Sequence, residues 1–188
     1  MPVVTTLDMV LFEMKNKHIT AHMKSAFNYA ECSTAERLKV GCVIVKDDRI
    51  ISIGYNGMPS GWTNVCEDEN FITKVEVLHA EENAITKLAR SNESGEGAAA
   101  FITHVPCLSC AKLLYSSGII EVWYAHPYRN TEGLDFLAQC NIKVNACNTD
   151  DTVQGRSYAL FGGNPEFVPA YWSSCYDSGR IAEHIRKG

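Results

Sequence analysis

The chain has 188 residues, 46% of them hydrophobic and 21% charged, which suits a single domain with its own core. No apolar run approaches the roughly 20 residues of a membrane helix. The first residues lack the basic start of an export signal, so a cytoplasmic protein is expected. A net charge of −5 argues against a broad nucleic-acid surface, which needs a positive face, but a single nucleotide requires only a few local cations. Eight cysteines in a reducing compartment read as thiols or metal ligands rather than disulfides.

Leu7, Val10, Leu11 and Met14, then Ile19, Met23, Ala26, Phe27 and Ala30, fall at helical spacing and predict one or two helices over residues 5–31. His18 and His22, one turn apart, read as solvated. Residues 40–45 and 49–54, rich in β-branched side chains and separated by Asp47-Asp48, predict a β-hairpin. Gly54-Tyr55-Asn56-Gly57-Met58-Pro59-Ser60-Gly61 then forms a shaped loop, because its glycines and proline fit neither helix nor strand. Residues 64–77 are polar and show no clear period. A helix is expected over 79–91, a strand over 98–104, and a helix from Pro106 to near Gly118. Further on come a strand over 119–125, a helix over 133–140 and a strand over 142–146. The order α-β-β-α-β-α-β-α-β predicts a mixed sheet with helices on both faces. Residues 1–146 read as one domain, with 1–31 its N-terminal helical part. Residues 147–188, with Tyr158, Phe161, Phe167, Tyr171 and Trp172 and a short helix over 178–187, read as an extension packed on it.

The chemistry concentrates in His79-Ala80-Glu81 and Pro106-Cys107-Leu108-Ser109-Cys110. One histidine and two cysteines supply three ligands for zinc and leave a fourth tetrahedral position open, as a catalytic rather than a structural zinc requires. Cys107 and Cys110 are three apart at a helix start, where the helix dipole favours thiolates, and His79 likewise opens a helix. Two helix starts then converge at one sheet edge, where open α/β sheets hold ligands. Glu81 is the natural proton shuttle, and its neighbour Glu82 reads as a solvated charge. The other cysteines read as structural thiols, with Cys32 and Cys66 the weaker alternative of a second zinc pair. The pattern H-x-E followed by P-C-x-x-C is the signature of zinc-dependent deaminases. In that chemistry water is made acidic, the glutamate takes its proton, and protons return to the ring nitrogen and leaving amine.

These blocks resemble the cytidine and deoxycytidylate deaminase superfamily. The resemblance is carried by residues 40–45, by 49–61 with its Gly-Tyr-Asn-Gly-x-Pro-x-Gly loop, by His79 to Ile85, and by Pro106 to Leu113. The glycine loop narrows it to the deoxycytidylate (dCMP) deaminase branch. The resemblance implies a three-layer α/β/α fold with a five-stranded mixed sheet, and hydrolysis of dCMP to dUMP for thymidylate synthesis. It implies that Asn56 bonds the deoxyribose hydroxyl, or that Gly54, Tyr55, Asn56 and Gly57 hold a nucleotide effector, or both. It also places the Ala80 amide on the pyrimidine O2, the Val105 carbonyl on the amine, Tyr128 near the base, and Arg37, Lys39 or Arg129 on the 5′-phosphate. A homohexamer activated by dCTP and inhibited by dTTP, with Mg²⁺ accompanying the triphosphate, belongs to the same expectation.

Two other classes compete. Another zinc deaminase, acting on tRNA adenosine or a free nucleoside, would in its polynucleotide form need a basic surface that the acidic composition does not supply. A non-catalytic nucleotide sensor would have no use for Glu81.

Overall fold

The computed structural model of the chain describes residues 14–128 and 131–147. Nine elements follow in the expected order: α1 (Asn16–Ala30), β1 (Gly41–Lys46), β2 (Arg49–Tyr55), α2 (Ala80–Leu88), β3 (Ala99–His104), α3 (Leu108–Ser116), β4 (Glu121–His126), α4 (Glu132–Gln139) and β5 (Lys143–Ala146). The extension after Cys147, with its aromatic residues and expected helix, and the helical stripe over residues 5–13 lie outside the described residues, as does Arg129.

The strands form one five-stranded sheet in the order β2-β1-β3-β4-β5. β1 runs antiparallel to β2 and to β3, whereas β3, β4 and β5 are mutually parallel. The hairpin turns at Asp47 and Asp48, both at positive φ (51° and 59°), the conformation that a two-residue turn matching strand twist demands. The parallel strands need crossovers, which α3 and α4 supply.

Side chains alternate across the sheet with a period of two. Cys42 and Ile44 of β1 and Ala100 and Ile102 of β3 pack with Ala80, Ala84 and Leu88 of α2, Leu114 of α3 and Leu137 of α4. Val43, Val45, Ala99 and Phe101 face the other way, onto Ile19, Met23 and Ala26 of α1. The result is three layers, and among the described residues α1 is the helix on that second face. β3 lies at the centre and all six of its residues are buried.

His22 is not solvated, and His18 is only partly so. Both bond Asp48 in the hairpin turn, His22 Nε2 lying 2.8 Å from Oδ1, and His22 is only 8% exposed. The hydrogen bond from His22 holds the Asp48 carboxyl below its usual range. The pairing joins residues 26 apart in sequence, so spacing along the helix could not reveal it.

The strand directions place the carboxyl ends of β2, β3, β4 and β5 and the amino end of β1 on one edge of the sheet. The glycine loop, the Val105–Cys107 segment, Tyr128 and Lys39 all emerge there. This is the edge at which an α/β sheet holds its ligands.

Candidate metal-dependent active site

His79 and Cys107 are the N-cap residues of α2 and α3. Pro106 lies one residue outside the cap rather than opening the helix itself. Cys110 follows in the first turn of α3 and is 2% exposed. The two helix starts bring His79 Nδ1 to 3.4 Å from Cys110 Sγ and 3.6 Å from Cys107 Sγ. All three donor atoms lie within 4.8 Å of one another. A tetrahedral zinc with ordinary Zn–N and Zn–S bonds sets its nitrogen and sulfur ligands about 3.6 Å apart, so donor chemistry and spacing both fit zinc. This is the one such group of three or more donors among the described residues. Cys66 is buried and lies 3.5 Å from Thr34 Oγ1, and Cys32 is exposed.

Glu81 sits in the first turn of α2 at 4% exposure. Burial pushes its carboxyl up to about 7, against the opposing pull of its own backbone N–H and of His79. Cys107 is the more acidic thiol of the pair. Hydrogen bonds to Cys110 and His79 push it down to about 3, while Cys110 is raised by its bond to Cys107 and by burial. The contact with Cys107 raises His79.

Glu82 is a half-buried charge with a structural bond. Its Oε2 accepts from the His79 amide at 3.3 Å, completing a capping box, and it thereby holds the histidine at the helix entrance. The Glu-at-third-position spacing was visible in the sequence, but His79 is not a usual capping residue. Gly54 explains how α2 reaches the site. A methyl group there would stand 2.1 Å from the Ala80 carbonyl oxygen and 2.5 Å from the Ala84 nitrogen. The end of β2 and the first turns of α2 therefore touch backbone to backbone. Asn83 Nδ2 donates to the Tyr55 carbonyl at 2.9 Å, and Ser52 Oγ to the Ala84 carbonyl at 2.7 Å.

Beyond Tyr55 the glycine loop extends the sheet edge. Asn56 N donates to the Val40 carbonyl, and Gly57 exchanges two backbone bonds with Leu78, directly before His79. The Asn56 side chain is 9% exposed. Its Oδ1 accepts from Val40 N and its Nδ2 donates to the Leu38 carbonyl, both at 2.8 Å. Each atom keeps one further hydrogen-bonding valence. Lys39 is thus held beside the loop and half-buried. Arg37 is exposed and its Nη1 donates to Thr73 Oγ1 at 3.2 Å. Ala80 and Val105 are buried at the same edge, and the Val105 amide donates to the His126 carbonyl. Tyr128, 41% exposed, follows β4. Glu67, which the sequence did not single out, binds the backbone on which Arg37 sits.

A buried glutamate beside a His-Cys-Cys donor set, at the carboxyl edge of a three-layer mixed sheet, defines a zinc-dependent deaminase. The chain belongs to the cytidine and deoxycytidylate deaminase zinc-binding family, whose model matches residues 16–126. A dCMP deaminase from the cyanophage S-TIM5, solved in complex with dCMP and dUMP, is 42% identical with a TM-score of 0.70, over 71% of this chain and 99% of that one. The ComE operon protein 2 of Bacillus subtilis is 33% identical over 163 residues, 82% of each chain. The deoxycytidylate deaminase of phage T4 is 33% identical over 149 residues, 56% of this chain and 77% of that one.

Proposed function

We propose that this protein hydrolyses dCMP to dUMP and ammonia in a zinc-dependent reaction, supplying dUMP for thymidylate synthesis. The observation that carries this reading is the Glu81 carboxyl, buried beside the three-donor cluster. A carboxyl held there can take a proton from water and return it to the substrate.

His79, Cys107 and Cys110 hold the ion, and zinc when bound supplies Lewis acidity that lowers the pKa of water toward neutrality. Glu81 removes a proton from the attacking water, whose oxygen bonds to C4 of the pyrimidine. Glu81 delivers that proton to the ring nitrogen, then takes the proton of the new C4 hydroxyl and passes it to the amine. The C4–N bond breaks, ammonia leaves, and the new oxygen remains as the uracil carbonyl. The Ala80 amide donates to the pyrimidine O2, and the Val105 carbonyl accepts from the amine. Asn56 meets the deoxyribose hydroxyl with its remaining valence, and Tyr128 lies at the base. Arg37 and Lys39 meet the 5′-phosphate. The dCMP and dUMP bound by the cyanophage relative support this choice of substrate.

Activation by dCTP and inhibition by dTTP, carried with Mg²⁺ at Gly54, Tyr55, Asn56 and Gly57, and assembly into a homohexamer, belong to the same proposal. Their support is the family resemblance and the position of the glycine loop beside His79. Ammonia release from dCMP, dCTP, CMP and cytidine, with and without dCTP and dTTP as effectors, tests it. Turnover confined to unphosphorylated cytidine would overturn the choice of substrate.

A further inference from the structure

Glu67 is a carboxylate only 7% exposed for which the deamination chemistry has no role. Its Oε1 accepts from the backbone amides of Glu36 and Arg37, and its Oε2 from that of Glu36, each at 3.2 Å. Burying a carboxylate is costly unless hydrogen bonds satisfy it. This one is satisfied by a segment about 30 residues away in sequence. Glu67 also pairs with Thr73 in an isolated antiparallel bridge, and Thr73 Oγ1 accepts from Arg37 Nη1. The two halves of one bridge therefore hold the two ends of one arginine: Glu67 its backbone amide, Thr73 its guanidinium.

The attachment is reinforced around it. Ala35, Cys66 and Val77 form a small apolar cluster with Met58 packed against it, which joins the Arg37 segment to the stretch between the glycine loop and His79. On the other side, Asn56 ties Leu38 and Val40 to the loop whose next residue, Gly57, pairs with Leu78 directly before His79. Arg37 is thus fixed relative to the catalytic cluster. Yet its side chain is exposed, and none of the ion pairs among the described residues involves it. A guanidinium held by a neutral hydroxyl keeps its charge and its remaining donors for an anion.

We propose that the Glu67–Thr73 bridge is a specificity element, positioning Arg37 to receive the phosphate monoester of the substrate. This rests on the reading of the chain as a dCMP deaminase. Glu67 and Thr73 are positioning residues and touch no reacting atom.

The test compares wild type, Thr73→Val, Thr73→Ser and Glu67→Gln in steady-state dCMP deamination, with inorganic phosphate as a competitive inhibitor. Thr73 is exposed, so Thr73→Val removes the hydroxyl at little risk to folding. Its KM for dCMP should rise roughly three- to tenfold, the loss of one hydrogen bond that orients a charged group, with kcat unchanged. Phosphate inhibition should weaken in parallel, and Thr73→Ser should restore both. Glu67→Gln should shift KM in the same direction. An unchanged KM in both Thr73→Val and Glu67→Gln, or a fall in kcat with phosphate inhibition unaltered, overturns the proposal. A wild-type protein inert toward dCMP overturns the underlying substrate reading instead.

Discussion

A methyl group placed on Gly133 would stand 2.1 Å from the carbonyl oxygen of Pro106 and 3.1 Å from the carbonyl carbon of Cys107. The first turn of α4 therefore presses directly on the backbone that carries a metal ligand. Gly133→Ala cannot be accommodated without moving that backbone. Because supports behind metal ligands typically govern affinity, zinc binding should weaken by about 10- to 100-fold. Zinc content after dialysis against a graded chelator measures this, with circular dichroism as the check on folding. A folded variant with wild-type zinc affinity would show that the Cys107 segment yields without cost.

Glu81 lies two residues past His79 but does a different job. Glu81→Gln preserves volume and removes the ability to accept a proton. Turnover of dCMP should fall at least about 10²-fold, while zinc content stays at the wild-type level because the three ligands are untouched. Metal analysis and ammonia release on the same sample separate the two roles. Loss of zinc together with activity would make Glu81 a ligand or a structural support.

The order of elements was legible because β1 is a β-branched apolar run bounded by turn residues and the helices carry a 3.6-residue period. The His79 and Cys107–Cys110 set was legible although its parts lie 28 and 31 residues apart, because H-x-E and P-C-x-x-C are each short, chemically rare motifs. What escaped was long-range pairing. Glu67 binds amides about 30 residues away, from a stretch with no periodicity, and nothing local marks it as buried. His22 finds Asp48 across 26 residues for the same reason. That Gly54 also lets α2 touch β2 depends on a helix that starts 26 residues later.

Asn56 offers a test of the edge it organises. Its Nδ2 donates to the Leu38 carbonyl and its Oδ1 accepts from Val40 N, both at 2.8 Å. Asn56→Asp is nearly isosteric but sets an oxygen against the Leu38 carbonyl oxygen. The lost bond and the repulsion at a buried site should cost about 2 kcal/mol, lowering the melting temperature by roughly 4–8 °C. Thermal unfolding checks it. An unchanged melting temperature would mean that the segment before β1 can detach without loss.

His104 and His126 end β3 and β4 as register partners, with ring centroids 5.1 Å apart. They are 4% and 9% exposed. His104 Nδ1 lies 3.1 Å from Thr103 Oγ1, and its Nε2 is buried with no hydrogen-bond partner among the described residues. Burial, with a smaller contribution from His126, pushes His104 down to about 3, and burial pushes His126 down to about 4. Both folded values lie below the ordinary histidine value of about 6.5. Between the folded and ordinary values the unfolded chain binds more protons than the folded one, so acid favours unfolding. The stability these neutral histidines support is complete above about pH 7 and falls as the pH drops, by about 1.4 kcal/mol per histidine at about pH 5.5. Urea unfolding of wild type and His104→Phe at about pH 7.5 and 5.5, in the same zinc state, isolates the effect, and the variant should lose roughly that one histidine's share less stability on acidification. Equal losses in the two proteins would show that His104 accepts its proton without unfolding the domain.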